Sequence, residues 1–471
     1  MSIDRRQFLK LSACSSLYAA LGNLRCSRGS RSTPNILLIY ADDLGYGDLG
    51  CYGGDIPTPH IDSIAENGIR FSQFYVTSPA CTPSRYSLLT GCYPHRSIHG
   101  LSDVYFPGDE MHIDASEITL PRLLKTKGYD TAIFGKWHLG KARKEYLPMS
   151  HGFDQFSGMP GGCIDYFRHS YGPVEKDWYV DNGPQEEEGY ATELIGSHAI
   201  EYLSQPARRE NPFFVYLAFT APHYGKTDVN DIPPNTLSLK QTEYKGYQVM
   251  NTLQAPEEYL NKFSHIKDIY RRYYTAMVSC MDDQIGRVLD LLESQGQRDN
   301  TMIWFISDNG GYSESYFKHA DNGILHGEKA MVYEGGVRIP AMVSWRGRLK
   351  PGQVSDEVLS TMDMMPTMAQ IIGFQNQLNQ LPIDGKDMSG TLFRDEAMPE
   401  RPLVFGWDGK YSIRYGRWKL VHGEELYDLE NDVSESNNLA ALHPKIAKSL
   451  LKEQKRILSY NKYNKREKDQ P

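Results

Sequence analysis

Uninterrupted runs of apolar residues predict the strands of one large sheet. Residues 35–40, 212–219 and 301–306 are apolar along nearly their whole length, without the alternation expected of a strand with one face in solvent. This pattern is typical of parallel strands that are buried on both faces. Three shorter runs are also predicted to be strands, at residues 71–76, 129–134 and 341–345.

Apolar residues at helical spacing predict helices between these strands. The longest predicted helix covers residues 268–292, where Met277, Cys280, Met281 and Val288 recur on one face as packing residues. Shorter helices are predicted at residues 117–127, 189–203 and 443–460. Strands that alternate with helices indicate an α/β fold built on a parallel sheet.

Two stretches lack a clear period and are predicted to be irregular insertions, at residues 151–184 and 224–265. The first is rich in aromatic and basic residues, namely Tyr166, Phe167, Arg168, His169, Tyr171, Trp178 and Tyr179. Long loops in compact domains are usually functional or are insertions. The rings could stack on sugars or could pack onto the domain surface, and the sequence favours neither reading.

The C-terminal part changes pattern. Residues 411–421 predict a hairpin with its turn at Gly416, and residues 426–429 predict one more strand. Asp384-Gly385-Lys386-Asp387 indicates a boundary before this part. We therefore predict three regions, namely an export signal and linker at 1–32, a catalytic domain at 33–385 and a small subdomain at 386–471.

Charge and length narrow the class of protein. The chain has 471 residues, a net charge of −8 and a pI near 6.0, which argues against a nucleic-acid partner. An anionic substrate would have to be attracted by a local basic site, because the overall field opposes it. Beyond the N-terminus, no stretch has the roughly 18 consecutive apolar residues of a membrane-spanning helix.

The N-terminus resembles a targeting signal. Asp4-Arg5-Arg6-Gln7-Phe8-Leu9-Lys10 is similar to a twin-arginine export signal, and residues 11–24 supply a weakly apolar segment. We therefore expect export to the periplasm. Attachment to a membrane is expected only through a lipid anchor, for which the context of Cys26 is poor and Cys14 lies too close to the arginines.

Four of the seven cysteines are left for structure, and most of them are predicted to be single buried thiols. Cys14 and Cys26 fall in the predicted signal, and Cys81 is assigned to chemistry. The others are Cys51, Cys92, Cys163 and Cys280. They form no CxxC pair and no Cys/His zinc spacing, and export would permit disulfides that sequence cannot pair.

Polar residues follow two of the buried strands. Asp42 and Asp43 come after residues 35–40, and Asp308 and Asn309 come after residues 301–306. The carboxyl ends of parallel strands meet at one edge of a sheet, where ligands bind. Adjacent carboxylates repel each other unless a cation lies between them. An all-oxygen set favours Ca²⁺ or Mg²⁺ over zinc.

A cysteine stands at a predicted helix start. Cys81-Thr82-Pro83-Ser84-Arg85 runs into Tyr86-Ser87-Leu88-Leu89-Thr90-Gly91, with proline in the first turn and glycine at the end. The positive helix end would stabilise an anion beside Cys81, and Arg85 adds a bidentate donor. A lone cysteine here would more often be a buried packing residue.

Cationic residues follow two further strands. Lys136 and His138 lie two apart in Gly135-Lys136-Trp137-His138-Leu139-Gly140, so on an extended chain both would point to one face. His223 follows residues 212–219 in Thr220-Ala221-Pro222-His223. Cations and imidazoles at one sheet edge suit a site that binds an anion and transfers protons.

Together these strings resemble the type I sulfatase family. The string from Cys81 to Gly91 is similar to its C-x-P-S-R-x-x-L-L-T-G signature, and the GKWHLG and APH elements match further family motifs. Gly327-Glu328-Lys329 with Glu334-Gly335-Gly336-Val337-Arg338-Ile339-Pro340 matches the family's G-x-K…EGG-x-R-x-P block. The resemblance covers about residues 34–440 and includes the LYDL run that starts at Leu426.

The resemblance implies a fold, a cofactor and roles. The fold would be an alkaline-phosphatase-like α/β sandwich with a large, mixed, mostly parallel sheet and a small C-terminal α+β subdomain. Cys81 would be oxidised by a formylglycine-generating maturase to formylglycine (3-oxoalanine). One Ca²⁺, or alternatively Mg²⁺, would be bound by Asp42, Asp43, residue 81, Asp308 and Asn309.

The implied reaction is hydrolysis of a sulfate ester through a covalent sulfo-enzyme. Lys329 and His223 would bind the sulfate and help the alcohol to leave, Arg85 and Lys136 would spread its charge, and His138 would take the proton that releases sulfate. The expected substrate is a sulfated polysaccharide or oligosaccharide. The alternatives are a phosphodiesterase or phosphonate monoester hydrolase that uses the same aldehyde, and a non-catalytic glycan-binding protein in which Cys81 is unmodified.

Overall fold

The computed structural model describes residues 33–205, 211–314, 318–378 and 382–459. The predicted export signal at residues 1–32, with Cys14 and Cys26, lies outside these residues. The described residues from Asn35 to Ser459 form one compact unit. The boundary that we predict near residue 385 stays a prediction.

The described strands include one at each of the six predicted apolar runs and further strands elsewhere. They are β1 (Asn35–Asp42), β2 (Gly68–Tyr75), β3 (Asp130–Gly135), β4 (Gln155–Gly158), β5 (Ser170–Tyr171), β6 (Glu175–Lys176), β7 (Tyr179–Val180), β8 (Gly183–Pro184), β9 (Phe213–Pro222), β10 (Gly225–Asp228), β11 (Thr236–Tyr244), β12 (Tyr247–Gln254), β13 (Thr301–Ser307), β14 (Arg338–Ser344), β15 (Gln353–Ser355), β16 (Leu359–Ser360), β17 (Leu403–Trp407), β18 (Lys410–Tyr415), β19 (Trp418–Val421) and β20 (Glu425–Asp428).

The described helices are α1 (Pro59–Glu66), α2 (Cys81–Thr90), α3 (Leu120–Lys125), α4 (Ala191–Ser204), α5 (Glu257–Lys262), α6 (Ile269–Ser294), α7 (Glu334–Val337), α8 (Met364–Ile371), α9 (Gln375–Leu378), α10 (Ser389–Arg394) and α11 (Pro444–Ser459). The long helix α6 begins after Asp268, whose side chain accepts hydrogen bonds from the backbone amides of Tyr270 and Arg271. Helix α3 is shorter than the predicted 117–127, because Thr119 caps it and Pro121 occupies its first turn.

The central sheet has the order β15-β2-β14-β13-β1-β9-β3-β4-β7-β8 within the described residues, with β16 also paired to β2. Strands β13, β1, β9, β3 and β4 are parallel neighbours. Strand β14 is antiparallel to both β13 and β2. The sheet is therefore mixed and mostly parallel, as the resemblance implies, and the carboxyl ends of its central strands meet at one edge.

Both faces of this sheet are buried. Leu38 pairs with Trp304 and Tyr216 in the neighbouring strands, and these side chains enter one core together with residues of α2 and α8. The preceding residue, Leu37, points into a second core on the other face of the sheet, formed with α1, α4 and α6. The two cores explain why the strands are apolar at every position and confirm the predicted α/β sandwich.

The predicted C-terminal hairpin is part of an antiparallel sheet in the order β17-β18-β19-β20. Gly416 lies between β18 and β19 with a φ of 58°, a conformation that favours glycine. Helix α11 contributes Leu450 and Ile457 to the same core as Leu420 and Phe405. The C-terminal sheet and helix thus form the expected α+β layer.

The prediction of an irregular insertion at residues 224–265 was wrong. This stretch forms an antiparallel sheet in the order β10-β12-β11, followed by α5. The period was hard to read because β11 is largely exposed and its register shifts between Ser238 and Lys240. A strand with polar residues on both faces lacks the alternation that identifies strands in a sequence.

The aromatic stretch at residues 151–184 packs inward at several positions. Tyr166, Tyr171 and Trp178 are buried, and the ring of Tyr166 stacks on Tyr190 with centroids 5.2 Å apart. These three rings therefore follow the packing interpretation.

The five cysteines of the described residues, Cys51, Cys81, Cys92, Cys163 and Cys280, are free thiols. Across the described ranges, no helix is both long and apolar enough to cross a bilayer.

Candidate active site

The predicted site residues converge on the carboxyl edge of the sheet. Asp42 and Asp43 lie at the end of β1, Asp308 and Asn309 follow β13, Lys136 and His138 follow β3, and His223 follows β9. These four strands are adjacent in the order β13-β1-β9-β3. Cys81, Arg85 and Lys329 complete the group, and all ten side chains are buried.

The two adjacent aspartates are held by separate lysines. Lys136 Nζ lies 2.6 Å from Asp42 Oδ2, and Lys329 Nζ lies 2.5 Å from Asp43 Oδ1. The backbone of Asp43 has a φ of 66°, in the left-handed region, so its side chain diverges from the strand direction of Asp42. The repulsion that we expected between the carboxylates is offset by one ammonium for each of them.

Arg85 forms ion pairs with carboxylates at the ends of two different strands. Its Nη2 lies 2.8 Å from Asp308 Oδ2 and 3.8 Å from Asp42 Oδ2, and its guanidinium lies over the ring of Tyr40, 5.2 Å from the centroid. Burial alone would lower the pKa of Arg85, but Tyr216, Asp308 and Asp42 raise it. Arg85 therefore stays charged, one turn into α2.

Asp308 is already engaged on both oxygens. Its Oδ1 accepts a hydrogen bond of 3.1 Å from the amide of Asp43, and its Oδ2 pairs with Arg85. Burial raises the pKa of Asp308 to about 6, and the nearby Asp42 adds to this effect. Asp308 thus has less free capacity to bind a metal than the sequence suggested.

Three other oxygens fit a hard cation. Asp42 Oδ1, Asp43 Oδ2 and Asn309 Oδ1 are buried and accept no hydrogen bond from any described residue. Asn309 Nδ2 donates to Asp43 Oδ1 over 2.8 Å, which places its oxygen beside the aspartates. Buried acceptors without donors are costly, and Ca²⁺ or Mg²⁺ binds oxygens of this kind. These residues therefore fit the implied cation.

Cys81 is the first residue of α2. The helix ends at Gly91, which has a φ of 68° and donates its amide to Ser87 O over 2.9 Å. Burial raises the pKa of the Cys81 thiol, whereas the ammonium groups of Lys136 and Lys329 lower it. Cys81 consequently lies within the electrostatic reach of both lysines, next to the carboxylates.

His138 does not lie on extended backbone. Its φ is 60°, so the expectation that Lys136 and His138 share one face of an extended strand was wrong. The Nε2–H group donates to Tyr105 O over 2.8 Å, which leaves the buried Nδ1 without a partner among the described residues. Burial and then Lys136 lower the pKa of His138 well below its usual value, so its ring is neutral.

His223 faces the carboxylates from β9. Its Nδ1–H group donates to Tyr224 O over 2.6 Å, and its Nε2 lies 3.5 Å from Asp43 Oδ2. The ligand atoms of Asp42, Asp43 and His223 all lie within 4.8 Å of one another. Burial, and next Lys329, lower the pKa of His223 well below its usual value.

Backbone contacts position Lys329 beside Cys81. Ala330 N donates to Pro79 O over 2.9 Å, and Lys329 N donates to Gly311 O over 3.4 Å. The first contact ties the lysine segment to the turn before Cys81, and the second ties it to the turn after Asn309. Glu328, the residue before Lys329, accepts hydrogen bonds from the backbone amides of Ser313 and Glu314.

Sequence reasoning missed the residues that orient this group. Tyr216 and Tyr40 contact Arg85 but stand inside apolar strands, where they are indistinguishable from core residues. Tyr224 and Tyr312 place rings around His223 and Lys329. The Tyr105 carbonyl selects the tautomer of His138, and no side-chain pattern signals a backbone acceptor.

The arrangement can bind a cation and a tetrahedral oxyanion side by side. Three oxygens that accept no hydrogen bond from the described residues can hold the cation, and Lys329 and Lys136 place ammonium donors next to Cys81. His223 presents Nε2 to the same space, because its Nδ1–H group is bound to Tyr224 O. A neutral imidazole with an open nitrogen, as in His138, can accept a proton there.

Comparison with known proteins gives a consistent result. The family described as sulfatase matches residues 34–374. The chain is 33% identical over 407 residues to the N-acetylgalactosamine-6-sulfatase of Rattus norvegicus, covering 82% of this chain and 70% of that protein. It is 31% identical over 444 residues to the steryl-sulfatase of Rattus norvegicus, covering 83% and 75%.

Solved structures share the fold. The crystal structure of Ps i-CgsB in complex with k-i-k-neocarrahexaose has a TM-score of 0.79 and 30% identity, covering 91% of this chain and 93% of that chain. The PsFucS1 sulfatase from Pseudoalteromonas sp. has a TM-score of 0.72 at 23% identity, covering 97% and 94%.

Proposed function

The chain belongs to the sulfatase family and is a sulfuric ester hydrolase, and from this premise we propose that its substrates are sulfated polysaccharides or their fragments. The observation that carries the proposal is the meeting of Cys81, Lys329 and His223 with three unpartnered ligand oxygens at one sheet edge. Each of these features serves the binding of an anionic ester beside a nucleophile.

The class of substrate is supported by the solved relatives. Ps i-CgsB, which is 30% identical and superposes over most of both chains, was crystallised with an oligosaccharide. The rat relatives are named for an amino sugar sulfate and for a steryl sulfate at nearly equal identity. Sequence identity alone therefore does not decide between a sugar sulfate and a steryl sulfate as substrate. The structural similarity to Ps i-CgsB favours a sugar sulfate.

We propose that a maturase oxidises Cys81 to formylglycine, whose hydrate supplies the attacking oxygen. We propose in addition that Asp42, Asp43 and Asn309 bind one Ca²⁺ or Mg²⁺ together with residue 81, with Asp308 supporting them through Asp43 and Arg85. The cation supplies positive charge that polarises the sulfate group.

The two histidines divide the proton transfers. His223 Nε2 faces the site while Nδ1 is held by Tyr224 O, so a bound sulfate adds the negative charge that favours a proton on Nε2. That proton can pass to the leaving alcohol. His138 presents an open Nδ1 on a neutral ring, which suits a base that takes the proton from residue 81.

Mass analysis of the peptide that carries residue 81 tests the nucleophile. We expect the mass of formylglycine or its hydrate in active protein, and sulfate release from sulfated oligosaccharides. Cys81→Ala should release no sulfate yet keep the unfolding temperature of the wild type, because the side chain serves chemistry. An unmodified Cys81 in active protein would refute the proposal. Phosphate diester and phosphonate substrates, assayed in parallel, separate the sulfatase from its closest chemical alternative.

The histidine roles predict different dependence on the leaving group. His223→Ala should slow sugar sulfates far more than activated aryl sulfates, whose leaving oxygen needs little protonation. His138→Ala should slow both substrates alike and leave sulfate bound to the residue 81 peptide after quenching. Bound sulfate in His223→Ala but not in His138→Ala would reverse the two roles.

We also propose export to the periplasm, on the strength of the twin-arginine-like string from Asp4 to Lys10. Replacement of Arg5 and Arg6 by lysine should retain the protein in the cytoplasm, as measured by cell fractionation. Unchanged recovery in the periplasm would contradict this route.

A further inference from the structure

One buried lysine of the described residues lacks the carboxylate partner that the others have. Lys136 pairs with Asp42, Lys329 with Asp43, and Lys419 with Glu334 and Glu435. Lys226, which is 8% exposed, is in β10. Its Nζ donates to the neutral amide oxygen of Asn251 over 2.6 Å.

Aromatic faces complete the surroundings of this ammonium group. The Nζ atom lies 5.5 Å from the ring centroid of Tyr171 and 5.4 Å from that of Tyr224. Burial lowers the pKa of Lys226, and among the described groups only the Cys163 thiol counters this effect. A buried cation without an anion carries an uncompensated desolvation cost, which an anion brought by a ligand would offset.

Lys226 is close to the reaction centre. The ring of Tyr224 that faces Lys226 also lies 4.3 Å from the ring of His223, centroid to centroid. Burial raises the pKa of the Cys163 thiol, whereas Lys226 and Lys136 lower it, so this thiol lies within the electrostatic reach of both lysines. A single tyrosine ring therefore lies between the Lys226 ammonium and His223, which faces the site.

We propose that Lys226 is a specificity-determining residue that binds a second anionic group of the substrate, a sulfate or a carboxylate next to the sulfate that is removed. The proposal rests on the proposed function, because it names a feature of the glycan on which the same site acts. It also meets the expectation that a chain of net charge −8 needs a local basic site for an anionic substrate.

The competing reading is structural. Lys226 and Asn251 are directly opposite in the antiparallel pair of β10 and β12, so their contact could simply stabilise this small sheet. The two readings differ in measurable ways. A structural lysine should lower stability when it is removed and should affect all substrates alike, whereas an unpaired buried cation should not lower stability when an isosteric apolar chain replaces it.

The test uses the mature full-length enzyme and three disaccharide probes that share one scissile sulfate. The neighbouring sugar is neutral in the first probe, carries a second sulfate in the second, and is a uronic acid in the third. The variants are Lys226→Met and Lys226→Arg. Lys350→Met, at an exposed position, is the matched control. If Lys226→Met does not fold, Lys226→Gln takes its place.

We expect the wild type to prefer one doubly anionic probe over the neutral one by at least about tenfold in kcat/KM, as one charge-assisted hydrogen bond would supply. Lys226→Met should reduce this preference to less than about threefold, mainly through KM, while Lys226→Arg should retain part of it. The unfolding temperature of Lys226→Met should equal or exceed that of the wild type. The probe that loses its advantage identifies the second group as sulfate or carboxylate.

Other outcomes overturn the inference. A wild type without preference, an unchanged preference in Lys226→Met, or an equal loss on all three probes would show that Lys226 does not read a second anion. These results leave the proposed function intact, since sulfate is still released. If the wild type releases sulfate from none of the probes, the proposed function fails on this class of substrate and the inference falls with it.

Discussion

Two clusters of buried charge lie close together in this molecule and are built differently. The active centre combines Asp42, Asp43 and Asp308 with Lys136, Arg85 and Lys329. The second cluster, here called the joint network, consists of Glu334, Glu435, Lys419, Arg338, Arg414 and Tyr75. It connects α7 and β14 to the C-terminal sheet.

The joint network is closed around its central carboxylate. Glu334 Oε1 lies 2.9 Å from Lys419 Nζ, and Glu334 Oε2 accepts from Tyr75 OH over 2.6 Å. Glu435 Oε2 accepts from the amide of Glu334 over 2.7 Å, and its Oε1 lies 3.0 Å from Lys419 Nζ. In the active centre, by contrast, three ligand oxygens accept no hydrogen bond from any described residue.

This difference separates a structural use of buried charge from a functional one. A buried ion pair contributes to a unique fold when its hydrogen bonds are complete, and removing one partner is costly. Oxygens that remain unpartnered mark the place where a ligand completes the set. Charge and burial alone do not distinguish the two clusters, whereas the number of buried side-chain oxygens that accept no hydrogen bond from the described residues does. There are three in the active centre and one, Glu435 Oε1, in the joint network.

The two clusters are also mechanically connected. Glu334 is the first residue of α7, which follows Lys329 by a short turn, and Gly335 N donates to His326 O over 2.7 Å. A Cβ atom at Gly310 would lie 1.7 Å from Gly335 O, so only glycine allows the turn after Asn309 to pass this segment. The first residue of α7 in the joint network is thus close in the chain to Lys329, whose segment is also fixed by these backbone contacts.

The largest expected effect comes from opening the joint network. Lys419→Met leaves Glu334 and Glu435 buried without their shared cation, which should lower the free energy of unfolding by about 3–5 kcal/mol. Urea unfolding measures this loss. Turnover per folded molecule should stay within about threefold of the wild type. Full stability in Lys419→Met would mean that the two clusters do not differ as argued here.

The matching substitution in the active centre should have the opposite profile. Lys329→Met removes a donor to the substrate, which should lower kcat by about 10²–10³-fold. With Ca²⁺ present, its stability should fall less than that of Lys419→Met, because the cation compensates Asp43. Steady-state assays and urea unfolding of both variants test the contrast, with Lys350→Met as the control. A larger stability loss in Lys329→Met would contradict it.

Calcium should stabilise the folded protein only through the active centre, where three oxygens accept no hydrogen bond from any described residue. At about 100 times its dissociation constant, Ca²⁺ should raise the free energy of unfolding by about 2.7 kcal/mol. Asn309→Ala should lose this gain, and Asn230→Ala, at an exposed position, should keep it. Thermal unfolding with and without chelator provides the measurement. Equal stabilisation by Zn²⁺ would argue against an all-oxygen site.

The last expected effect is a pH dependence of the joint network. Burial raises the pKa of Glu435 from 4.5 to about 7, and Glu334 adds to this effect while Lys419 opposes it. The folded state then binds more protons than the unfolded state, so the stability contributed by Glu435 is present below about pH 4.5 and is lost as the pH rises towards 7.

Glu435→Gln should remove this slope. Between pH 4.5 and 7 the stability of the wild type should fall relative to the variant by about 2–3 kcal/mol, which urea unfolding at several pH values measures. Burial also raises the pKa of Asp308 to about 6, and the variant retains that contribution, so only the difference between the two curves is informative. Parallel stability curves for the wild type and Glu435→Gln would show that Glu435 does not bind the extra proton of the folded state.

Much of this molecule was determined by local sequence. Continuous apolar runs predicted β1, β9 and β13, because strands buried on both faces leave no polar position. The polar residues that follow these strands could be recognised as candidate site residues, because ligands bind at the carboxyl ends of parallel strands. The helix that starts at Cys81 was predicted from proline and glycine at its ends.

Tertiary structure decided how those residues are used. Sequence placed Asp308 and Asn309 together as ligands, but only the fold shows that Asp308 is committed to Arg85 while Asn309 keeps an open oxygen. The turn at His138, the small sheet from β10 to β12 and the lack of a carboxylate beside Lys226 among the described residues were likewise invisible in the sequence. Which polar atoms find partners depends on contacts between residues far apart in the chain, and local pattern carries no record of those contacts.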